Sequence, residues 1–220
     1  MSRKAGADRD DSSGGNQEDA FQTIRPGPVV ELKVKGSRFL GRAFHVEDES
    51  ACAAILKDVR REHHKATHHC HALRLAPPED PLERSDDDGE PSGTGGLPIL
   101  AALRGAAVLD ALVVVTRYFG GVKLGKGGLA RAYGEAADSA LAAAEKRLVW
   151  RDAKLIVTCT YDDLGTVEAV IARLSAGIPR VERAFSKGPS IALDVRRSLL
   201  EEVRNALIEA TSGRVRITSP

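Results

Sequence analysis

From residue 29 the segment VVELKVKGSRFLGRAFHV alternates apolar and polar side chains and breaks at Gly36-Ser37, the pattern of two β runs joined as a hairpin. Glu47, Asp48 and Glu49 then place negative charge ahead of Ala51, Ala54, Ile55 and Val59, whose spacing predicts a helix with its acids at the positive end. Residues 68–75 fit a short strand. A stretch rich in Pro, Gly and Asp follows, long enough to count as a functional or disordered loop, until Ile99, Leu100 and Leu103 restart a helical period. A β-branched run at 111–119 predicts a strand, FGGVKLGKGGL predicts a loop, and an alanine-rich stretch at 129–146 predicts a helix.

After Trp150 the periods begin again: a strand at 155–161, a helix at 164–175, strand-like runs around Val181 and Ile191, a helix at 199–210 and a last strand, RVRI. The order β-α-β-β-α-β is the split, ferredoxin-like arrangement, which places a domain boundary near residue 150. Residues 1–27 mix Gly, Ser, Asp and Lys with hardly an apolar side chain and read as a disordered tail. The expected organisation is α+β: a tail over 1–27, one domain over 28–150 and a second over 151–220.

The chain has 220 residues, enough to bury a sizeable core, and 32 basic side chains against 31 acidic ones. No overall positive excess points to nucleic acid, so a local patch has to supply any such affinity. Cys52, Cys70 and Cys159 are odd in number and form no CxxC pair, which argues against a disulfide framework or a zinc ribbon and for a reducing compartment. The apolar stretch 99–115 is broken by Arg104 and Asp110, and the N-terminus lacks an apolar signal core, so the expected location is cytoplasmic, away from membranes.

Three constellations carry candidate chemistry. Gly120, Gly125, Lys126 and Gly127 nearly reproduce the phosphate-binding P-loop, but Gly127 stands where a magnesium-holding hydroxyl belongs, which weakens the nucleotide reading. Small residues at Gly120, Gly121, Gly125, Gly127 and Gly128 still expose backbone N–H groups ahead of a helix, and Arg117, Lys123, Lys126 and Arg131 surround them with no acid between. The alternative is a tight connection in which the glycines serve only packing and positive φ.

The second constellation is SDDDGEPSGTGG. Asp86, Asp87, Asp88 and Glu90 offer oxygen ligands for a hard cation, or they fold back on the basic patch; equally, a carboxylate with Ser92 or Thr94 caps the next helix. The third is histidine: five of the six lie between His63 and His71. On a strand His69 and His71 share one face and His68 and Cys70 the other, so few ligands converge and neither zinc nor another cofactor is expected. His68 reads as a proton donor or anion contact if its face meets the acidic loop, and otherwise as a hydrogen-bonded core histidine.

The segments SRF (37–39), ATHHC (66–70), SDDDGEPSGTGG and VVVTRYFGGVKLGKGGLARAY (113–133) resemble, in order, the hallmark motifs of the IMPACT family in its bacterial two-domain, YigZ-like branch. This chain departs from them in an extra Asp within 86–88, in Gly95 where Ala is usual and in His69 where Asn is usual. The resemblance implies an N-terminal domain with the fold of elongation factor G domain IV, shared with a ribosomal-protein domain, and a C-terminal ferredoxin-like domain. It also implies a role in translational control through RNA, the ribosome or a protein partner.

Two readings of function follow. In the first, a non-enzymatic RNA- or ribosome-binding regulator, Arg117, Lys123, Lys126 and Arg131 meet phosphates and Tyr118 or Phe119 stacks on a base. In the second, a metal-assisted hydrolase or transferase takes an anionic substrate, with Asp87 or Asp88 holding metal and His68 as acid or base. A closed pocket shared by the acidic and basic loops favours the second; cations running onto an open surface favour the first.

Overall fold

The computed structural model describes residues 19–186 and 188–219, and the chain divides into two units, one over Phe21–Val149 and one that joins Asp19 and Ala20 to the described residues from Trp150 onward; the strands at either end of the first unit overlap these breaks by one residue. The first runs β1 (Ala20–Ile24), β2 (Val30–Val34), β3 (Ser37–His45), α1 (Glu49–Glu62), β4 (His68–Leu75), β5 (Leu82–Asp86), α2 (Gly96–Gly105), β6 (Ala111–Tyr118), α3 (Gly125–Ala142) and β7 (Lys146–Trp150). The β2–β3 hairpin pairs Val34 with Ser37. Its two-residue turn is therefore Lys35-Gly36, one position earlier than the sequence pattern marks, and both residues have positive φ, 47° and 82°.

Five strands form an antiparallel sheet in the order β2-β3-β6-β4-β5. The central strand β6 explains its own composition. Ala111, Val113 and Val115 enter the core under α2 and α3, while Leu112 and Val114 enter the core under α1, so both faces must be apolar. Helix α1 is capped by Asp48, whose Oδ1 accepts the Ala51 N–H at 2.7 Å, and it buries Cys52, Leu56 and Val59. Helix α3 buries Ala132, Ala136, Ala137 and Ala140 beside Tyr133, an alanine stripe that lets it lie close on the sheet.

Three expectations are corrected. The connection after β4 is not unstructured, because β5 pairs with β4 along Leu82–Asp86 and Glu83 is held by Arg74 (Nε–Oε1 2.8 Å) and Arg104. Helix α3 starts at Gly125, so GKGGL is its first turn; the packing of Leu129 and Tyr133 outweighs the poor helix propensity of glycine. Of the expected tail, residues 1–18 lie outside the described residues, but β1 pairs with β7 and Ile24 is 1% exposed, so 20–24 belong to the fold.

The second unit contains β8 (Asp152–Thr158), α4 (Tyr161–Arg173), β9 (Arg180–Ala184), β10 (Ser190–Arg196), α5 (Leu200–Ala210) and β11 (Arg216–Thr218). Its sheet is antiparallel in the order β11-β8-β10-β9. Leu155, Val157, Ile191 and Leu193 face a core completed by Val167, Val170 and Ile171 of α4 and Val203 and Leu207 of α5. Both units are mixed α and β. Among the described residues no helix is long and apolar enough to cross a membrane.

The position of Ile24 makes the strand at 20–24 testable. Ile24→Ala removes a fully buried side chain and is expected to lower stability by about 2–5 kcal/mol, read as a reduced urea midpoint at unchanged m-value; a loss below 0.5 kcal/mol, at about the noise of surface substitutions, would place Ile24 outside the core.

Candidate functional site

The acidic loop between β5 and α2 is held by its own carboxylates. Asp87 Oδ1 accepts the N–H groups of Gly95 and Gly96, both at 2.8 Å, and Oδ2 accepts that of Gly93 at 2.7 Å. Burial alone would raise its pKa, but these N–H groups outweigh it and hold the carboxyl below its usual range. Asp87 is therefore the cap of α2. Asp88 takes the Arg60 guanidinium (2.8 Å) on Oδ1 and the His69 N–H (2.6 Å) on Oδ2, and its carbonyl accepts His68 Nδ1–H at 2.7 Å. Asp86 Oδ1 accepts the Asp88 N–H at 2.6 Å. Thr94 is buried and donates to the Pro91 carbonyl at 2.6 Å, whereas Ser92 is exposed.

Of the uses read from this loop, the structure shows two: a helix cap at Asp87 and a fold-back onto the basic segment at Glu90. Its carboxylates point into backbone and basic partners, and among the described residues no three His, Cys, Asp or Glu side chains gather around a common point. The cysteine of ATHHC is likewise enclosed: Cys70 Sγ donates to the Asp87 carbonyl at 3.0 Å, and burial pushes its thiol up to about 12.

Glu90 sits deeper. Its Oε1 accepts Arg117 Nη1 at 2.6 Å and the Tyr133 hydroxyl at 2.7 Å, with His68 Nε2 3.9 Å away. The side chains of Arg117 and Glu90 are 6% and 3% exposed. Arg117 is therefore not the free phosphate contact that the sequence pattern indicated; its charge is spent on Glu90. Its Nη2 also reaches Ser37 Oγ at 3.4 Å, and its guanidinium carbon lies 5.4 Å from the Phe39 ring and 5.5 Å from that of Phe119. These rings flank a guanidinium whose Nε has no hydrogen-bond acceptor. Tyr133 is fully buried, and desolvation, followed by its interactions with Cys70 and Glu90, raises its hydroxyl pKa. Ser37, Phe39 and Tyr133 lie inside recognisable motifs, but nothing in their spacing marks them as partners of Arg117 and Glu90.

Tyr118 is also displaced from the expected site. Residues alternate along β6, so Tyr118 faces α1, with His63 Nδ1 3.1 Å from its hydroxyl and Arg38 over its ring at 5.5 Å. Phe119, the next residue, is 48% exposed beside the glycine segment. Gly120 is a packing glycine: its N–H donates to Ser37 Oγ at 3.1 Å, and a Cβ there would overlap the backbone of Gly36. Gly121 and Gly127 are exposed.

A cavity of about 390 Å³ remains, lined by Glu90, Pro91, Arg117, Phe119, Lys123, Leu124, Gly125, Lys126 and Leu129. It brings the Glu90 end of the acidic loop together with the basic loop. Arg131 and Gly128 line a neighbouring groove with Lys35. Lys123, Lys126 and Arg131 are exposed, and no ion pair engages them among the described residues. No side chain caps α3, and no acid occupies its first turn. The site is an apolar cavity with a buried, neutralised ion pair at its base and unpaired cations at its rim.

The expected division of the histidines by face is present: Nδ1 of His69 lies 3.1 Å from Thr116 Oγ1 on the α1 side, and His68 meets the acidic loop on the other. Burial lowers the pKa of both His69 and His71.

Comparison with known proteins gives consistent matches. The model of the Impact N-terminal domain matches residues 35–141. An IMPACT family member of Haemophilus influenzae is 34% identical over 188 residues, 85% of this chain and 90% of its own length. The IMPACT family member YigZ of Escherichia coli is 38% identical over 154 residues, 70% of this chain and 75% of its own. Among solved structures, the crystal structure of a hypothetical protein is similar at a TM-score of 0.65 and 28% identity, covering 92% of this chain and 98% of the other.

Two outcomes test the site's physics. Arg117→Met leaves Glu90 charged and buried without its partner and is expected to cost about 3–5 kcal/mol, against less than about 0.5 kcal/mol for Lys126→Ala; equal small losses by denaturant unfolding would refute the buried pair. An unfolded histidine takes its proton near pH 6.5, roughly its free value, before His69 and His71 do so in the fold. The unfolded state then binds more protons, so stability falls as pH drops below that value. His69→Asn should flatten the fall between about pH 6.5 and 5; an unaltered slope would remove His69 from the account.

Proposed function

The chain belongs to the IMPACT family, and from that premise we propose that it is a non-enzymatic RNA- or ribosome-binding protein linked to the regulation of translation, acting in the cytoplasm. The observation that carries the proposal is the set of free cations around the cavity: Lys123 and Lys126 on its lining and Arg131 in the neighbouring groove are exposed without counter-ions among the described residues, near the uncapped start of α3 and the open ring of Phe119. Cations that follow a backbone, next to an aromatic face on which a base stacks, are the parts of single-strand recognition. The proposal includes the finer folds: the strand order β11-β8-β10-β9 supports a ferredoxin-like second unit, and the family resemblance supports an elongation factor G domain IV-like first one.

The shared cavity favours a second reading, a pocket for a small anionic substrate. Against a metal-assisted reaction stand the engagements of its candidate residues. Asp87 caps α2, Asp88 holds Arg60 and the His69 N–H, and His68 donates to the Asp88 carbonyl.

Titration with a short single-stranded RNA at several salt concentrations separates the readings. Binding should weaken as salt rises, and the double variant Lys126→Ala with Arg131→Ala should flatten the log–log slope by roughly 0.7 for each lost phosphate contact. An unchanged slope would remove these cations from the interface. Tight magnesium-dependent binding of ATP or GTP, with no RNA binding, would establish the small-substrate reading in its place.

A further inference from the structure

We propose that the cavity takes in one unstacked nucleotide of the bound strand and selects guanine through the second carboxylate oxygen of Glu90. This deepens the RNA-binding reading and rests on it. The cavity, about 390 Å³, falls in the range of pockets that enclose small ligands, roughly 300–1,000 Å³. Pro91, Phe119, Leu124 and Leu129 give it apolar walls, one of them an aromatic ring, which suit a flat heteroaromatic group. The polar side chains that line it are Arg117, Lys123 and Lys126, all donors, and Glu90, the acceptor.

Glu90 Oε1 is occupied by Arg117 and Tyr133, and among the described residues no hydrogen bond reaches Oε2. Arg117 already balances the charge of Glu90, so the free oxygen favours a neutral N–H donor; an ammonium group would bring a second, uncompensated charge into a desolvated site. Among the four bases, guanine presents two adjacent donors on its pairing edge, N1–H and the N2 amino group. On that edge adenine and cytosine place an acceptor beside their amino group, and uracil sets its N–H between two carbonyls, so each offers the free oxygen one donor where guanine offers two. The oxygen gains a second neutral donor from guanine alone, and this gives the discrimination. Lys123 and Lys126, exposed at the rim, face the flanking phosphates.

The test measures fluorescence anisotropy with the full chain and labelled pentamers UUGUU, UUAUU, UUCUU and UUUUU, a fifth pentamer with inosine at the centre, and guanosine monophosphate as competitor. UUGUU should bind about tenfold more tightly than UUUUU, roughly 1.4 kcal/mol of base discrimination. Inosine, which keeps N1–H and loses the amino group, should fall between them. Glu90→Gln should abolish the preference. Because that variant deprives Arg117 of its counter-charge and can fail to fold, the inosine arm carries the test with the protein unaltered. Equal binding of all five pentamers would overturn the selection of guanine and leave RNA binding standing, whereas no binding to any of them would overturn both. Guanosine monophosphate competing as tightly as UUGUU would overturn the strand and make a free guanine nucleotide the ligand.

Discussion

A carboxylate withdrawn from water has to find donors nearby, and in the first unit that requirement falls on Glu90. It is met by Arg117 from the central strand and by Tyr133 from α3, so a single oxygen ties the acidic loop to both the sheet and the helix. Arg117 in turn needs Ser37 and the rings of Phe39 and Phe119. These demands reach back to the first hairpin and forward to the glycine segment, and they account for four separated stretches of sequence meeting at one place. A buried pair of this kind adds little net stability compared with apolar packing, but its failure is expensive. The cavity beside it therefore has a fixed base.

A net charge of +1 conceals a segregated surface. The acids of residues 86–90 are matched internally by backbone N–H groups, Arg60 and Arg117, and their field is largely spent within the loop. The cations across the cavity are not matched in this way. A chain of balanced composition thereby carries a local positive rim without any excess of lysine and arginine, which total charge could not have revealed.

Much of the fold was legible because its strongest elements bury two faces or one clean stripe. The run at 111–118 had to be apolar on both sides, and Ala51, Ile55 and Val59 recur at helical spacing after the Asp48 cap. β1 and β5 were not legible for opposite reasons. AFQTI is too short and too close to a polar stretch to show a period, whereas LERSD holds one apolar residue and owes its place to pairing with β4 and to the partners of Glu83. The site was half legible: the clustering of basic and glycine residues located it, but spacing cannot say which arginine is buried. Tyr118 and Arg117 are neighbours in sequence, and the pleat sends them to opposite faces.

The order β2-β3-β6-β4-β5 leaves β2 and β5 at the margins of the sheet, where unpaired backbone groups invite another chain to add a strand. Glu31 and Lys33 are exposed on the first, and Arg84, Ser85 and Asp86 on the second. A strand docking against either margin would have to strip water from these charges, which guards the folded unit against edge-to-edge aggregation. The same charges raise the cost of β-augmentation at these margins, so recognition by side chains and loops is the cheaper route for this unit.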